Sequence, residues 1–299
     1  MGATRPWRYW DTTGLEVRRF EDWRRGPHIA SPIETLSKAD LFMASPGEIE
    51  TEFGVPIPGT ILPEAEWAKT AIKRLPSPGA LDWPTIFGRT APLVVELGCG
   101  NARYTLASAL ARRDLDHVAV DVLPVVIRYA TRRGNQRGLV NTRFIVKDAQ
   151  TFVGSYLAES SVSEIHLYHP QPYHDPRLAH LRLVTPRFLA DVHRALLPGG
   201  LFVIQTDNPD YWNYITQVLP VFFQFREREG PWPDAPEGRS RREILARSRG
   251  LKIFRGEGIR KDELQRNEAI AVSAKLPAPT FRSRGPWCDL DAIEAGNQT

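Results

Sequence analysis

Four acidic residues close four apolar runs: Glu96 in "PLVVEL", Asp121 in "HVAVDV", Asp148 in "TRFIVKD" and Asp207 in "LFVIQTD". After the first comes Gly98-Cys99-Gly100, and glycines there let the backbone turn tightly and approach a ligand at the start of the next helix. A dinucleotide fingerprint would place a third glycine where Arg103 stands, which disfavours a pyrophosphate-bearing cofactor. Carboxylates around a glycine turn suit a ligand with hydroxyls and positive charge but no phosphate, and S-adenosylmethionine meets that description. Asp121 is then placed for the ribose hydroxyls, Asp148 for the adenine amine, and Glu96 for the amino or sulfonium group, with Gly98 and Gly100 beneath. Each acid taken singly is equally well read as the cap of the helix that follows it. Four together argue for a pocket.

For these acids to share a crevice, the runs that carry them must lie parallel in one sheet. Five strands are expected, "PLVVEL", "HVAVDV", "TRFIVKD", "SEIHLYH" and "LFVIQTD", with helix patterns at Arg103 to Arg112, Pro124 to Arg137 and Pro186 to Leu196 between them. This alternation predicts an α/β fold: a doubly wound, mostly parallel, Rossmann-like sheet with helices on both faces. The expected domain spans residues 81–274. Residues 1–80, broken by prolines in "GVPIPGTILPEAEW" and "RLPSPGALDWP" around short periodic pieces such as "EAEWAKTAIKRL", are expected to be a partly ordered extension. Residues 275–299, opening "KLPAPTFRSRGPW", read as a loose tail.

With 299 residues the chain can bury a full core, and no apolar run approaches the roughly 20 residues of a membrane span. Cys99 and Cys288 stand far apart with no C-x-x-C spacing, which removes a disulfide framework and a cysteine zinc site and fits a soluble, cytoplasmic protein. The formal charge of +4 is modest, yet arginines cluster in "RPWRYW", "RRFEDWRRG" and "EGRSRREILARSRGLKIFRGEGIRK". Arginine pairs bidentately with phosphate and stacks on bases, so an RNA partner is expected, most of all at the last cluster, although charge runs also line solvated helix faces. His166, His169, His174 and His180 crowd one segment, but their spacing matches no metal-binding pattern, and no metal is expected.

That segment, "LYHPQPYHDPRLAHLRLVTPRFL", leaves the fourth strand and breaks into prolines where an active-site loop would sit. Together with "LDWPTIFGRTAPLVVELGCGNARY", "IQTDNPDYW" and the late "SRRE", it makes the stretch from about Leu81 to Gly258 resemble the tRNA (guanine-N7-)-methyltransferases. The resemblance implies a class I methyltransferase using S-adenosylmethionine on guanine N7 in tRNA. It puts Glu96, Asp121 and Asp148 on cofactor-binding acids and Asp207, Ser240 and Glu243 on substrate-site positions. The loop departs from the family pattern of Pro-Asp-Pro-Trp-Pro-Lys: here it reads Pro170-Gln171-Pro172-Tyr173-His174-Asp175. Guanine N7 offers an in-plane lone pair without a proton, so methyl transfer needs alignment and no general base. Gln171 can accept one hydrogen bond from the guanine edge but lacks a charge, and Tyr173 can stack on the base; these two are the expected catalytic residues. Two other readings stay open on the same residues: a small-molecule methyltransferase, and a non-catalytic RNA-binding protein that keeps the cofactor pocket.

Overall fold

The computed structural model describes residues 45–290 except 73, 284, 287 and 289, and these lie within one compact unit. Five strands follow the expected runs: β3 (Leu93–Leu97), β4 (Asp116–Asp121), β5 (Thr142–Val146), β6 (Val162–Tyr168) and β7 (Leu196–Thr206). They are parallel to one another and ordered β5-β4-β3-β6-β7. The chain order reverses between β3 and β6, and such a switch point opens a crevice at the strands' C-terminal ends. Two further strands, β8 (Phe223–Arg228) and β9 (Phe254–Arg260), complete a seven-stranded sheet, with β9 antiparallel to both β7 and β8. A short hairpin of β1 (Thr51–Glu52) and β2 (Val55–Pro56) stands apart from it.

Most helices start on a side chain that accepts from a backbone N–H of the first turn, although those opening at Arg103 and Pro124 do not. Asp148 caps α4 (Ala149–Tyr156) by accepting from Thr151 N at 2.7 Å. Thr185 caps α5 (Pro186–Ala195), and Asn208 caps α6 (Pro209–Phe222) from 2.9 Å. Proline in the first helical turn costs nothing there, because its missing N–H has no intrahelical partner in any case. "LDWPTIFG" builds the single-turn α1 (Trp83–Phe87) in the same way, with Asp82 as cap, Pro84 in the first turn and Gly88 left-handed at the end. One sheet face packs on α1, α4, α5, α6 and α8 (Arg266–Ser273) through residues such as Trp83, Phe152, Phe188, Ile215 and Ala269. The opposite face packs on α2 (Arg103–Ala111) and α3 (Pro124–Gln136) through Leu106, Ala109, Ile127 and Phe144.

The periodic piece from Glu64 to Leu75 forms only a three-residue 3-10 turn, Glu64–Glu66. Beyond that turn its Ala68 N bonds to the carbonyl of Asn135 at the end of α3, as Leu62 N just before it bonds to that of Gln136. Nor is the described part of the expected tail loose. Phe281 lies 5.0 Å from Tyr211 between ring centroids, and Ser283 is buried. The N-terminal clusters "RPWRYW" and "RRFEDWRRG" lie outside the described residues.

Candidate functional site

At the C-terminal end of β3 the chain turns through Gly98 (φ 69°), Cys99 and Gly100 (φ 50°) into Ala102 (φ 64°), and α2 begins at Arg103. The two glycines serve that backbone, since a Cβ built on either would meet no atom within 4 Å. Glu96 points under the turn, where its carboxyl accepts from Thr105 N at 3.2 Å and from the Thr105 hydroxyl. Burial, opposed by those hydrogen bonds, pushes this carboxyl up to about 8. Asp121, at the end of β4, accepts from Gly100 N and Leu123 N at 3.0 Å each, and burial raises its pKa as well. A carboxylate oxygen has two lone pairs, so each Asp121 oxygen keeps capacity for another donor. Asp148 differs from these two. It is the cap of α4, and its side chain is 47% exposed beside Lys147.

Across the switch point the polar groups are tied together. His169, at the end of β6 with φ 50°, lies 3.0 Å from Asp207 through Nδ1 and 2.9 Å from the Gln205 amide through Nε2. Because Gln205 Nε2 can only donate, His169 Nε2 is the acceptor and Nδ1 carries the proton donated to Asp207. Gln205 also donates to Glu243 at 3.0 Å and accepts from Trp232 Nε1 at 2.6 Å. Asp207 is closed on its other side by Arg242, with Nε and Nη2 both 2.9 Å from Oδ2. The hydrogen bond from His169 and the charge and hydrogen bonds of Arg242 outweigh burial and hold its carboxyl well below the usual range. Glu243 accepts from Arg255 and from Arg239 N, and its pKa is lowered by Arg255 first. Ser240 caps α7 (Arg241–Ser248) through Glu243 N at 3.1 Å.

The 170–175 loop is held from below by Arg182, buried and bonded to Pro172 O at 2.6 Å, Tyr173 O at 3.1 Å and Pro279 O at 2.6 Å. His174 meets Ser283 at 2.9 Å. Tyr173 is half-buried and left-handed at φ 44°, whereas Gln171 is exposed.

Residues 90–255, more than half of the chain, match a family model described as "Putative methyltransferase". The tRNA (guanine-N(7)-)-methyltransferase of Rubrobacter xylanophilus is 31% identical over 198 residues, spanning 63% of this chain and 84% of that protein. The chain belongs to the tRNA (guanine-N7-)-methyltransferase family. The enzyme of the same name from Alcanivorax borkumensis is 29% identical over 64% of this chain and 79% of its own, and that from Paenarthrobacter aurescens 36% over 48% of each.

Within the family frame, the four strand-end acids do not form one uniform set. Glu96 and Asp121 accept from neutral donors at the glycine turn, Asp148 caps a helix, and Asp207 is held between His169 and the Arg242 guanidinium. The arginine-rich segment from 237 to 261 also differs from a solvent-facing phosphate grip. Arg242 and Arg255 are buried on Asp207 and Glu243, Arg239 pairs with Asp234 at 2.6 Å, and Arg260 bonds to Ser160 at 2.8 Å. Arg242 and Arg255 answer buried carboxylates and Arg260 the buried Leu196 carbonyl, so these three build the fold, whereas Asp234 beside Arg239 is exposed. Arg249 and Lys252 remain exposed. Of the four histidines, His166 is buried on β6 between Tyr104 and Tyr168, at 2.8 and 2.9 Å. His169 is part of the Asp207 network, a role that a reading of the histidines as metal ligands or core packing leaves out. Its position directly between a strand and a proline loop was the available signal. Among the described residues no cluster of three His, Cys, Asp or Glu side chains can hold a metal, and no helix is long and apolar enough to cross a membrane.

Proposed function

We propose that this chain is an S-adenosylmethionine-dependent methyltransferase that modifies guanine N7 in tRNA in the cytoplasm. The observation that carries the reading is its family membership together with two acids at the glycine turn that form no ion pair among the described residues. These acids fit the cosubstrate: Glu96, raised by burial, gains most from a cation placed against it, and Asp121 keeps lone pairs for a diol. The open space above Gly98 and Gly100 leaves room for a ligand against the backbone. S-adenosylmethionine, when bound, supplies an electrophilic methyl group on sulfur.

The chain's own work is alignment. Glu96 holds the cationic end, Asp121 the ribose, and Asp148 the adenine edge through the oxygen its helix cap leaves free. On the acceptor side, Asp207, Ser240 and Glu243 are substrate-site positions by the family pattern. In this chain Asp207 and Glu243 act through the loops they fix, since their oxygens already hold His169, Gln205 and arginines. Tyr173 stacks on the guanine and Gln171 accepts a hydrogen bond from its edge. No residue needs to take a proton, because N7 bears none. Without a carboxylate in the loop, stabilisation of positive charge arriving on the base is weaker by an amount on the order of 1 to 4 kcal/mol. Incubation with methyl-labelled cosubstrate and total tRNA, followed by nucleoside analysis, should yield labelled 7-methylguanosine. Label in a small molecule alone, or cosubstrate and tRNA binding without transfer, would replace this reading by one of its two rivals.

A further inference from the structure

The β1–β2 hairpin has at its tip Phe53 (φ 50°) followed by Gly54 (φ 77°). Two successive left-handed residues make the tight turn that suits a hairpin, and a bulky side chain in the first of them is unfavourable unless something compensates. Core packing does not compensate here, since Phe53 is 44% exposed. Its ring instead lies under a cation, with the Arg241 guanidinium 5.0 Å from the ring centroid. Arg241 opens α7, between the cap Ser240 and Arg242, which holds Asp207. Its Nε is buried and makes no hydrogen bond among the described residues.

The base of the hairpin is fixed to the other half of the crevice. Glu52 accepts from Asn101 in the glycine turn and lies 3.7 Å from Arg133, while Glu50 pairs with Arg137 at 2.7 Å. The hairpin therefore bridges the cofactor turn and the start of α7. A cleft lined by Val55, Pro56, Arg103, Tyr104, Glu237 and Arg239 separates its far side from the preceding loop, and none of the expected cofactor residues lines it.

We propose that Phe53 and Arg241 form a contact point for the substrate RNA, the ring stacking on an unpaired base and the guanidinium taking a neighbouring phosphate. An accessible aromatic face beside an arginine is the pair that single-stranded nucleic acid binds without reading sequence, because every base has a π-face. The contact rests on the chain acting on RNA and deepens that reading.

The test uses the full chain as parent, Phe53→Ala, Phe53→Leu, Phe53→Trp and Arg241→Ala. It measures tRNA affinity at several salt concentrations and S-adenosylmethionine affinity by calorimetry. Phe53→Ala and Phe53→Leu should each weaken tRNA binding about tenfold and Phe53→Trp should restore it, as stacking requires, with cosubstrate affinity within about twofold throughout. Arg241→Ala should flatten the dependence of log affinity on log salt by about one unit. Restoration by leucine would make the ring a packing element and overturn the proposal. So would lost cosubstrate affinity with tRNA binding intact, or no effect of any variant. A parent that binds tRNA yet forms no 7-methylguanosine defeats the methyl-transfer reading alone, and the binding series still decides the contact. A parent that does not bind tRNA overturns both.

Discussion

The crevice has two halves that use the same residue types for opposite ends. Beside β3 and β4, Glu96 and Asp121 accept only from a hydroxyl and backbone amides, and burial raises both pKa values. Beside β6 and β7, Asp207 and Glu243 are bound by arginines, and both pKa values are depressed. A buried acid without a cation is electrostatically unsatisfied and has affinity for a cationic ligand. A buried acid already paired has none to offer and instead fixes the elements it joins. The strand-end position alone does not separate the two cases; the identity of the nearest donor does.

Breaking the paired half should give the largest effect. Arg242→Ala leaves the Asp207 carboxylate buried with His169 as its remaining side-chain partner among the described residues and should cost roughly 3 to 5 kcal/mol of stability, read as a lower denaturation midpoint at neutral pH. Lowering the pH should narrow the gap between variant and parent. Asp207 is depressed below its ordinary value, so the stability it contributes is present above that value and fades as pH falls toward its folded pKa. A variant as stable as the parent would dissolve the distinction between the halves.

The unpaired half should respond in ligand binding rather than in folding. Asp121→Ala should weaken S-adenosylmethionine binding at least tenfold, a loss of roughly 1.5 to 3 kcal/mol, without a comparable fall in stability. Unchanged calorimetric affinity would remove Asp121 from the site. Glu96 adds a proton signature. Its carboxyl is raised from 4.5 to about 8, so the stability it contributes is complete below pH 4.5 and is lost as pH climbs through about 8. A bound cation should expel that proton, so binding at pH 7 should release about one proton, seen by calorimetry in buffers of different ionisation enthalpy. Glu96→Gln should abolish the release.

Smaller effects sharpen the loop and the cap. Gln171→Asp should raise the single-turnover rate on tRNA roughly tenfold, equivalent to about 1.4 kcal/mol, if the loop still orients a guanine. A slower variant would mean that the loop is built around a neutral edge. Asp148→Ala should destabilise α4 by about 1 kcal/mol, and Asp148→Asn by less, because asparagine caps nearly as well. A cosubstrate affinity that falls in the asparagine variant while stability holds would assign Asp148 to adenine as well as to the helix.

The five parallel strands were legible because burial on both faces leaves continuous apolar runs, and α3, α4, α5 and α6 because proline, a capping residue or both mark their starts. β8 and β9 were not. "FQFRER" and "FRGEGIR" carry charges and glycines in place of a continuous apolar run, yet Gly256 and Gly258 are strand residues whose missing side chains admit Phe225 and Phe223. A Cβ at Gly256 would stand 2.4 Å from the Phe225 ring. At the site, the glycine turn and its acids were visible because local sequence makes them. The pairing of Asp207 with His169 and Arg242, and the bond from Arg182 to Pro279, join residues far apart in sequence that only the folded chain brings together. The Phe53 turn was hidden for the same reason, since its partner lies far along the chain.

The bond from Arg182 to Pro279 also sets a schedule for the chain as it leaves the ribosome. Glu96, the glycine turn, Asp121 and the cap of α4 lie within residues 96–151, so that half of the crevice has all its parts early in synthesis. Arg182 can reach Pro172 and Tyr173 as soon as it is made, but its bond to Pro279 and that of His174 to Ser283 wait for the last part of the domain. A nascent chain paused before Pro279 carries every group of the cofactor half while its acceptor loop still lacks the anchors that residues 279 and 283 supply.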